Sequence, residues 1–302
     1  VTWDVTPALH LTAGARYTYD KKTSDELRNF FGTLTNRLSD HWSALTPKAS
    51  ISYDIDDDRM VYVSVSRGFK AGGVNIGGLQ ANAYNPEFVW SYEAGLKSRW
   101  FDRRLQANLA VFHYDYSDLQ VTQYAVATAI IDNAATANVN GLEIEVSARP
   151  TEHLTIDGTL AVLDAEFSRY SVLDAFRPEL GVLDLRGKRL PRAPKRTFSL
   201  AAQYDIPLPG GNLLGLRGEV TGRSETFYTP FNTDFARTGA YTLTNARISY
   251  GPADGRWELA VFGRNLGDKD IPEGITVSGI TASTIVTYAP PRTYGASLRL
   301  KF

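Results

Sequence analysis

The chain has 302 residues, a formal net charge of -1, 22% charged residues, four histidines and no cysteine. Balanced, interspersed charge excludes a basic nucleic-acid groove or an acidic tail, and the absence of cysteine excludes disulfides, thiolate metal sites and cysteine catalysis. No window approaches the roughly 18 to 20 unbroken apolar residues of a membrane-spanning helix, but a spanning strand needs only about 9 to 11 residues, half of them free to be polar.

The first residues, VTWDVTPALHLTAGARY, carry neither a basic leader nor an apolar run and do not start on Met, so the chain reads as a mature product or a fragment. Strands are predicted over 9–19, 49–55, 61–67, 90–100, 104–124, 139–149, 154–162, 198–206, 214–220, 244–250, 257–264 and 293–302. Most alternate strictly. In residues 139–149, Leu142, Ile144, Val146 and Ala148 interleave with Glu143, Glu145, Ser147 and Arg149, and in 90–100 Trp90, Tyr92, Ala94 and Leu96 interleave with Ser91, Glu93, Gly95 and Lys97. One face of each strand is apolar and the other polar. In 104–124 the apolar face is harder to assign. The total is about twelve strands and no helix.

Short turns fall at 54–58, 101–104, 149–153, 207–211 and 251–255, and long loops at about 21–41, 71–86, 125–136, 168–193, 228–238 and 268–290. A soluble sandwich has no reason to sort connections by length onto two ends; an outer-membrane barrel, with short periplasmic turns and long extracellular loops, does. Tyr17, Tyr19, Trp90, Tyr92, Trp100, Phe112, Tyr114, Tyr116, Tyr250, Trp257 and Tyr294 fall mostly near strand ends, where amphipathic rings suit the headgroup layer. Charges such as Arg16, Lys48, Arg67, Glu93, Lys97, Glu143, Glu145, Glu219, Glu258 and Arg299 fall on the polar rows, as a wet lumen requires. The fold expected is an all-β, antiparallel transmembrane β-barrel.

The ordered stretches LTAGARYTYDKK (11–22), YVSVSRGFKAGGVN (62–75), SYEAGLKSRWFDRRLQANLAVFHYDYSDLQV (91–121), NVNGLEIEVSARP (138–150), LPRAPKRTFSLAAQY (190–204), FGRNLGDK (262–269) and PPRTYGASLRLKF (290–302) resemble the C-terminal half of a TonB-dependent outer-membrane receptor. The resemblance implies that residues 1–302 are one barrel domain, the last half of a 22-stranded plugged barrel, with plug, TonB box and early strands upstream. It implies TonB-energised uptake of a scarce nutrient such as a ferric siderophore across the bacterial outer membrane. The implied partners are the TonB complex, the protein's own plug, lipid and the barrel assembly machinery, with no cofactor. Gly267 departs from the bulky residue usual in the NL-x-D motif, and no haem-receptor motif is present.

Ligand contacts in that family come from extracellular loops, which here carry Phe30, Phe31, Tyr84, Tyr124, Tyr170, Phe176, Arg177, Tyr228, Phe231, Arg237 and Tyr288. Aromatic rings and guanidinium groups suit bulky anionic chelates. The terminal row Tyr294, Leu298, Leu300 and Phe302 resembles the family's assembly signal. His10, His41, His113 and His153 lack metal-ligand spacing, Asp56 to Asp58 read as a solvated turn, and no enzyme is indicated. The alternative is a passive channel of about twelve strands, since an even-stranded barrel can close on itself.

Overall fold

The computed structural model describes residues 1–28, 34–76, 82–125, 128–278 and 283–301. Thirteen of the described strands form one sheet: β1 (Thr2–Asp4), β2 (Leu9–Arg28), β3 (Leu34–Asp56), β4 (Arg59–Lys70), β5 (Glu87–Trp100), β6 (Leu105–Ala125), β7 (Thr128–Ala148), β8 (Leu154–Arg169), β9 (Arg196–Leu208), β10 (Asn212–Arg223), β11 (Tyr241–Pro252), β12 (Trp257–Arg264) and β13 (Thr293–Leu300). Each pairs antiparallel with its sequence neighbour, and the order is linear from β1 to β13. The described residues therefore form an open arc of wall whose two edges do not pair with each other.

Register explains why the arc holds together in lipid. One row of Cα partners runs Tyr53, Val61, Leu96, Leu109, Ile144, Leu160 and Phe198 across seven strands. A second runs Leu216, Ile248, Val261 and Ala296. Most of these side chains are exposed in the chain as it stands, Tyr53 by 49% and Val261 by 51%. A continuous apolar outer face on a sheet whose backbone groups are paired internally is what a bilayer demands. Tyr294, Leu298 and Leu300 extend that face to β13, opposite Gly263, Leu259 and Trp257, while Phe302 lies outside the described residues.

On the outer face of β5, Tyr92 and Trp100 stand eight residues apart. At about 3.3 Å per residue that is roughly 26 Å along the strand, or about 20 Å vertically once tilt is allowed for, close to an apolar band of about 25 Å. Trp90 and Tyr92 stack at 6.4 Å near the upper rim, and Tyr250 meets Trp257 edge-on at 5.6 Å near the lower. Phe112, Tyr114 and Tyr116 depart from the girdle expected of them. They share the inner row with Glu93-facing positions, and Phe112 stacks on Tyr114 at 4.6 Å. Arg67 also departs: it occupies the outer row with Val61, Val63 and Val65, where its guanidinium lies 4.1 Å from the Phe88 ring centroid and 6.0 Å from that of Trp90. A cation over the aromatic rim keeps its head near the headgroups.

The inner face is polar and close-fitting. Tyr62 donates to Glu93 at 2.6 Å, Ser147 donates to Asp157 at 2.8 Å, and Arg247 donates to Glu258 at 2.6 Å. Rings fold across inner-row glycines of the adjacent strand. A Cβ on Gly141 would stand 2.1 Å from Phe112, and one on Gly95 2.5 Å from Tyr62. Glycine at those positions leaves room for the ring to cover its neighbour's backbone.

Connections sort by end. Turns of two to five residues join the strands below, at 5–8, 57–58, 101–104, 149–153, 209–211 and 253–256. Above them stand the described residues of the segments 71–86, 170–195, 224–240 and 265–292. The expected loops at 21–41 and 125–136 are instead largely strand: β2 pairs with β3 from Leu9↔Tyr53 through Arg28↔Leu34, and β6 with β7 up to Ala125↔Thr128. These hairpins continue the wall beyond the membrane.

Candidate functional site

The long connections carry their own secondary structure and are tied to each other. In 170–195, Ser171–Leu173 pairs with Val182–Asp184, and a single 3-10 turn covers Pro178–Leu180. In 224–240, Thr226–Phe227 pairs with Arg237–Thr238, and in 265–292, Pro272–Ser278 pairs with Ser283–Tyr288. Asn232 bonds the backbone of Arg189 in both directions, and Arg189 also pairs with Glu225. Tyr228 donates to the Glu273 carbonyl at 3.0 Å, and Thr238 donates to the Pro272 carbonyl at 2.6 Å. Three loops distant in sequence thus form one cap.

The last loop is anchored by the NL-x-D segment. Buried Asn265 receives the Lys269 N–H at 3.0 Å and donates to the Lys269 carbonyl at 2.9 Å, while its own N–H bonds Asn245 at 3.0 Å. Asp268 receives the Arg292 N–H at 3.1 Å and its guanidinium at 3.2 Å, closing the loop's base. Gly267 lies in ordinary van der Waals space with only Lys269 nearby, so its lack of a side chain leaves the clasp intact.

Beneath the cap lies a cavity of about 430 Å³, lined from one side by Leu119 to Gln123 of β6 and from the others by residues of the three loops. Its lining is mainly apolar, with Phe167, Tyr170, Phe176, Leu190, Tyr228, Phe231 and Ile275 contributing. Tyr170 is only 1% exposed and packs on Phe167 at 5.0 Å between ring centroids. Burial pushes its phenol up to about 12, so it remains protonated at any physiological pH. Arg192 is the one charged side chain among the described lining residues. Its guanidinium stands 5.9 Å from the Tyr228 ring centroid, and no acidic partner is found for it among the described residues.

The structure brings Tyr170, Phe176, Tyr228 and Phe231 into this lining. Arg177 and Arg237 stand beside it, committed to neighbours: Arg177 donates to Asp174 at 2.8 Å, and Arg237 to Glu225 at 2.9 Å. Tyr84 folds over Gly73 in the segment above β4, and Tyr288 sits 59% exposed at the end of the 272–288 hairpin. Phe30 and Phe31 fall outside the described residues, as does the side chain of Tyr124. Sequence reasoning passed over Arg192, Leu119 to Gln123 and Ile275 to Val277. The 190–204 stretch contained Arg192, but only the fold reveals that it faces Tyr228.

At the opposite end, the inner wall forms a hollow of about 1060 Å³ lined by Asp54, Arg59, Tyr62, Glu93, Lys97, Asn108, Glu143 and Glu145 among others. It is charged where the upper cavity is apolar. No group of three or more metal-ligating side chains occurs among the described residues.

An antiparallel meander with an apolar outer belt, a charged inner wall and capped long loops defines the wall of an outer-membrane β-barrel receptor. The family model described as TonB dependent receptor-like, beta-barrel matches residues 1–266, and the chain belongs to that family. It is 26% identical to the pesticin receptor of Yersinia pestis over 100% of this chain and 43% of that protein. It is likewise 26% identical to the ferric-pyoverdine M114 receptor PbuA of a Pseudomonas species, covering 97% of this chain and 34% of that protein. The ferric yersiniabactin uptake receptor FyuA of Yersinia pestis superimposes with a TM-score of 0.85 at 22% identity, over 100% of this chain and 44% of that one. The chain spans less than half the length of these relatives. The family is one of outer-membrane transport receptors rather than enzymes.

Proposed function

We infer that this chain is the C-terminal barrel wall and part of the ligand-binding surface of a receptor that imports a ferric siderophore, with TonB supplying the energy. The carrying observation is the apolar, aromatic cavity beneath three mutually fastened loops on the extracellular side. Relatives named as siderophore receptors match along the whole chain, which supports the same ligand class. The charged inner hollow suits a plug domain contributed by the rest of the receptor, since a buried charge needs a partner or water. Energy coupling would then act on the plug, and the wall would remain passive.

A passive twelve-stranded channel fits less well. Its first and last strands should pair, whereas the linear order leaves β1, a three-residue strand, and β13 as edges. Unpaired edges in lipid are costly, and further strands would cover them. The test is growth of an iron-limited deletion strain carrying the full-length gene, fed a panel of ferric siderophores with and without functional TonB. TonB-dependent rescue by at least one is expected. Rescue by none, or rescue independent of TonB, would sink the reading.

A further inference from the structure

We propose that the upper cavity selects a compact, aromatic ferric chelate of low net charge, and pairs its single outward anionic group with Arg192. This rests on the receptor reading above and adds the chemistry of the ligand. The argument begins with what is already neutralised. Around the cavity, Arg177 is held by Asp174, while Arg189 and Arg237 are both held by Glu225. That leaves Arg192 as the lining cation without an acidic partner among the described residues, exposed to the cavity and steadied by the Tyr228 ring. Its backbone is fixed as well: its N–H donates to the Phe227 carbonyl at 2.7 Å, and its φ is 61°.

The remaining lining is Leu, Val, Ile, Pro and aromatic side chains with a few amides and hydroxyls. Such a surface gains from covering flat rings, and its volume falls in the usual range for small-molecule sites. Against this wall a trianionic chelate could pair only one charge, with Arg192, and any other turned this way would face apolar side chains, which burial penalises heavily. A large hydrophilic peptide chelate would strand its own amides in the same way. The fastening of the three loops shapes this side of the site before the guest arrives, so less ordering is left for binding to cost.

The test uses the full-length receptor purified in detergent, and quenching of its intrinsic fluorescence by two defined probes. One is a ferric hydroxyphenyl-heterocycle chelate bearing one free carboxylate; the other is a trianionic ferric tris-catecholate. The first should bind at least about tenfold more tightly. Replacing its carboxylate by a primary amide should cost about tenfold, and Arg192→Asn should erase that difference, since asparagine tolerates the positive φ. Preference for the tris-catecholate, or an amide that binds as well as the acid, would overturn the proposal while leaving the receptor reading in place. Failure of both chelates to bind, in a receptor that other ferric siderophores still use for growth, would also overturn it. If no ferric siderophore rescues growth either, both readings fall. The wild-type ranking decides the question even if the variant does not fold.

Discussion

Asn232 and Arg189, forty-three residues apart in two different loops, exchange hydrogen bonds as two strand residues would: the Arg189 N–H donates to the Asn232 side-chain carbonyl at 2.7 Å, and the Asn232 amide donates back to the Arg189 carbonyl at 2.9 Å. A side chain here replaces a missing strand. Asn232 itself has a φ of 53°, a conformation asparagine adopts more readily than most residues. Asn232→Ala should leave an N–H and a carbonyl unpaired, at about 1 to 3 kcal/mol of local stability. Hydrogen exchange should then quicken at 186–192 and 228–236, with the barrel strands unchanged. Equal protection in both proteins would show that the loops hold together without this bond.

Ring-over-glycine packing makes a second prediction. Gly141→Ala would place a methyl group 2.1 Å from Phe112, whose ring also stacks on Tyr114 at 4.6 Å. Overpacking of this kind costs about 1 to 3 kcal/mol. The variant should show a lower midpoint in heat-modifiable gel migration, and adding Phe112→Leu should recover part of the loss. A double variant no better than the single would mean that the strain lies in the backbone rather than in the ring.

Arg247 and Glu258 offer a double-mutant cycle on the inner wall. The guanidinium meets the carboxylate at 2.6 and 3.4 Å, and each side chain is 32% exposed. Half-shielded pairs with two contacts lie near the upper end of the range for solvent-accessible ion pairs, so a coupling of about 1 kcal/mol is expected. Combined, Arg247→Met and Glu258→Gln should destabilise the barrel by about 1 kcal/mol less than the sum of their separate losses. Additive losses would mean that Arg299, whose Cα faces Glu258 across β12 and β13, takes over the vacated contact.

Strands embedded in the membrane were legible because their two faces differ. Alternation in 139–149 and 293–300 marks lipid against lumen, and a one-residue slip would expose the wrong row. Above the membrane both faces are wet, so Lys21 to Glu26 and Thr35 to His41 carry no such contrast, although they pair in an unbroken ladder. In β6 the difficulty was a register shift between Tyr116 and Leu119, with Asp118 at a φ of 54°. Below it the inner row changes from Gln106 and Asn108 to Phe112, Tyr114 and Tyr116 while the outer row changes from Leu109 and Val111 to His113 and Asp115, and the shift then displaces the alternation. The cavity was less legible still. Tyr170, Tyr228 and Ile275 belong to three separate connections, and only the fastening of their loops makes them neighbours.

The Glu225 carboxylate is held below the ordinary carboxylate range, first by the hydrogen bond from Arg237 and then by that from Arg189. Its folded form thus releases the proton more readily than its unfolded form, and the folded state gains from ionisation. That gain is complete above the ordinary value of 4.5 and is lost as pH falls through the depressed folded value. The tie between the 170–195 and 224–240 loops should therefore hold unchanged from pH 8 to about pH 6 and loosen only in stronger acid. Limited proteolysis of the receptor across that range should show the 224–240 segment becoming cleavable below about pH 4.5. Glu225→Gln should be more cleavable at neutral pH and lose the acid step. A Gln variant that keeps the wild-type acid step would show that the Glu225 tie does not carry the transition.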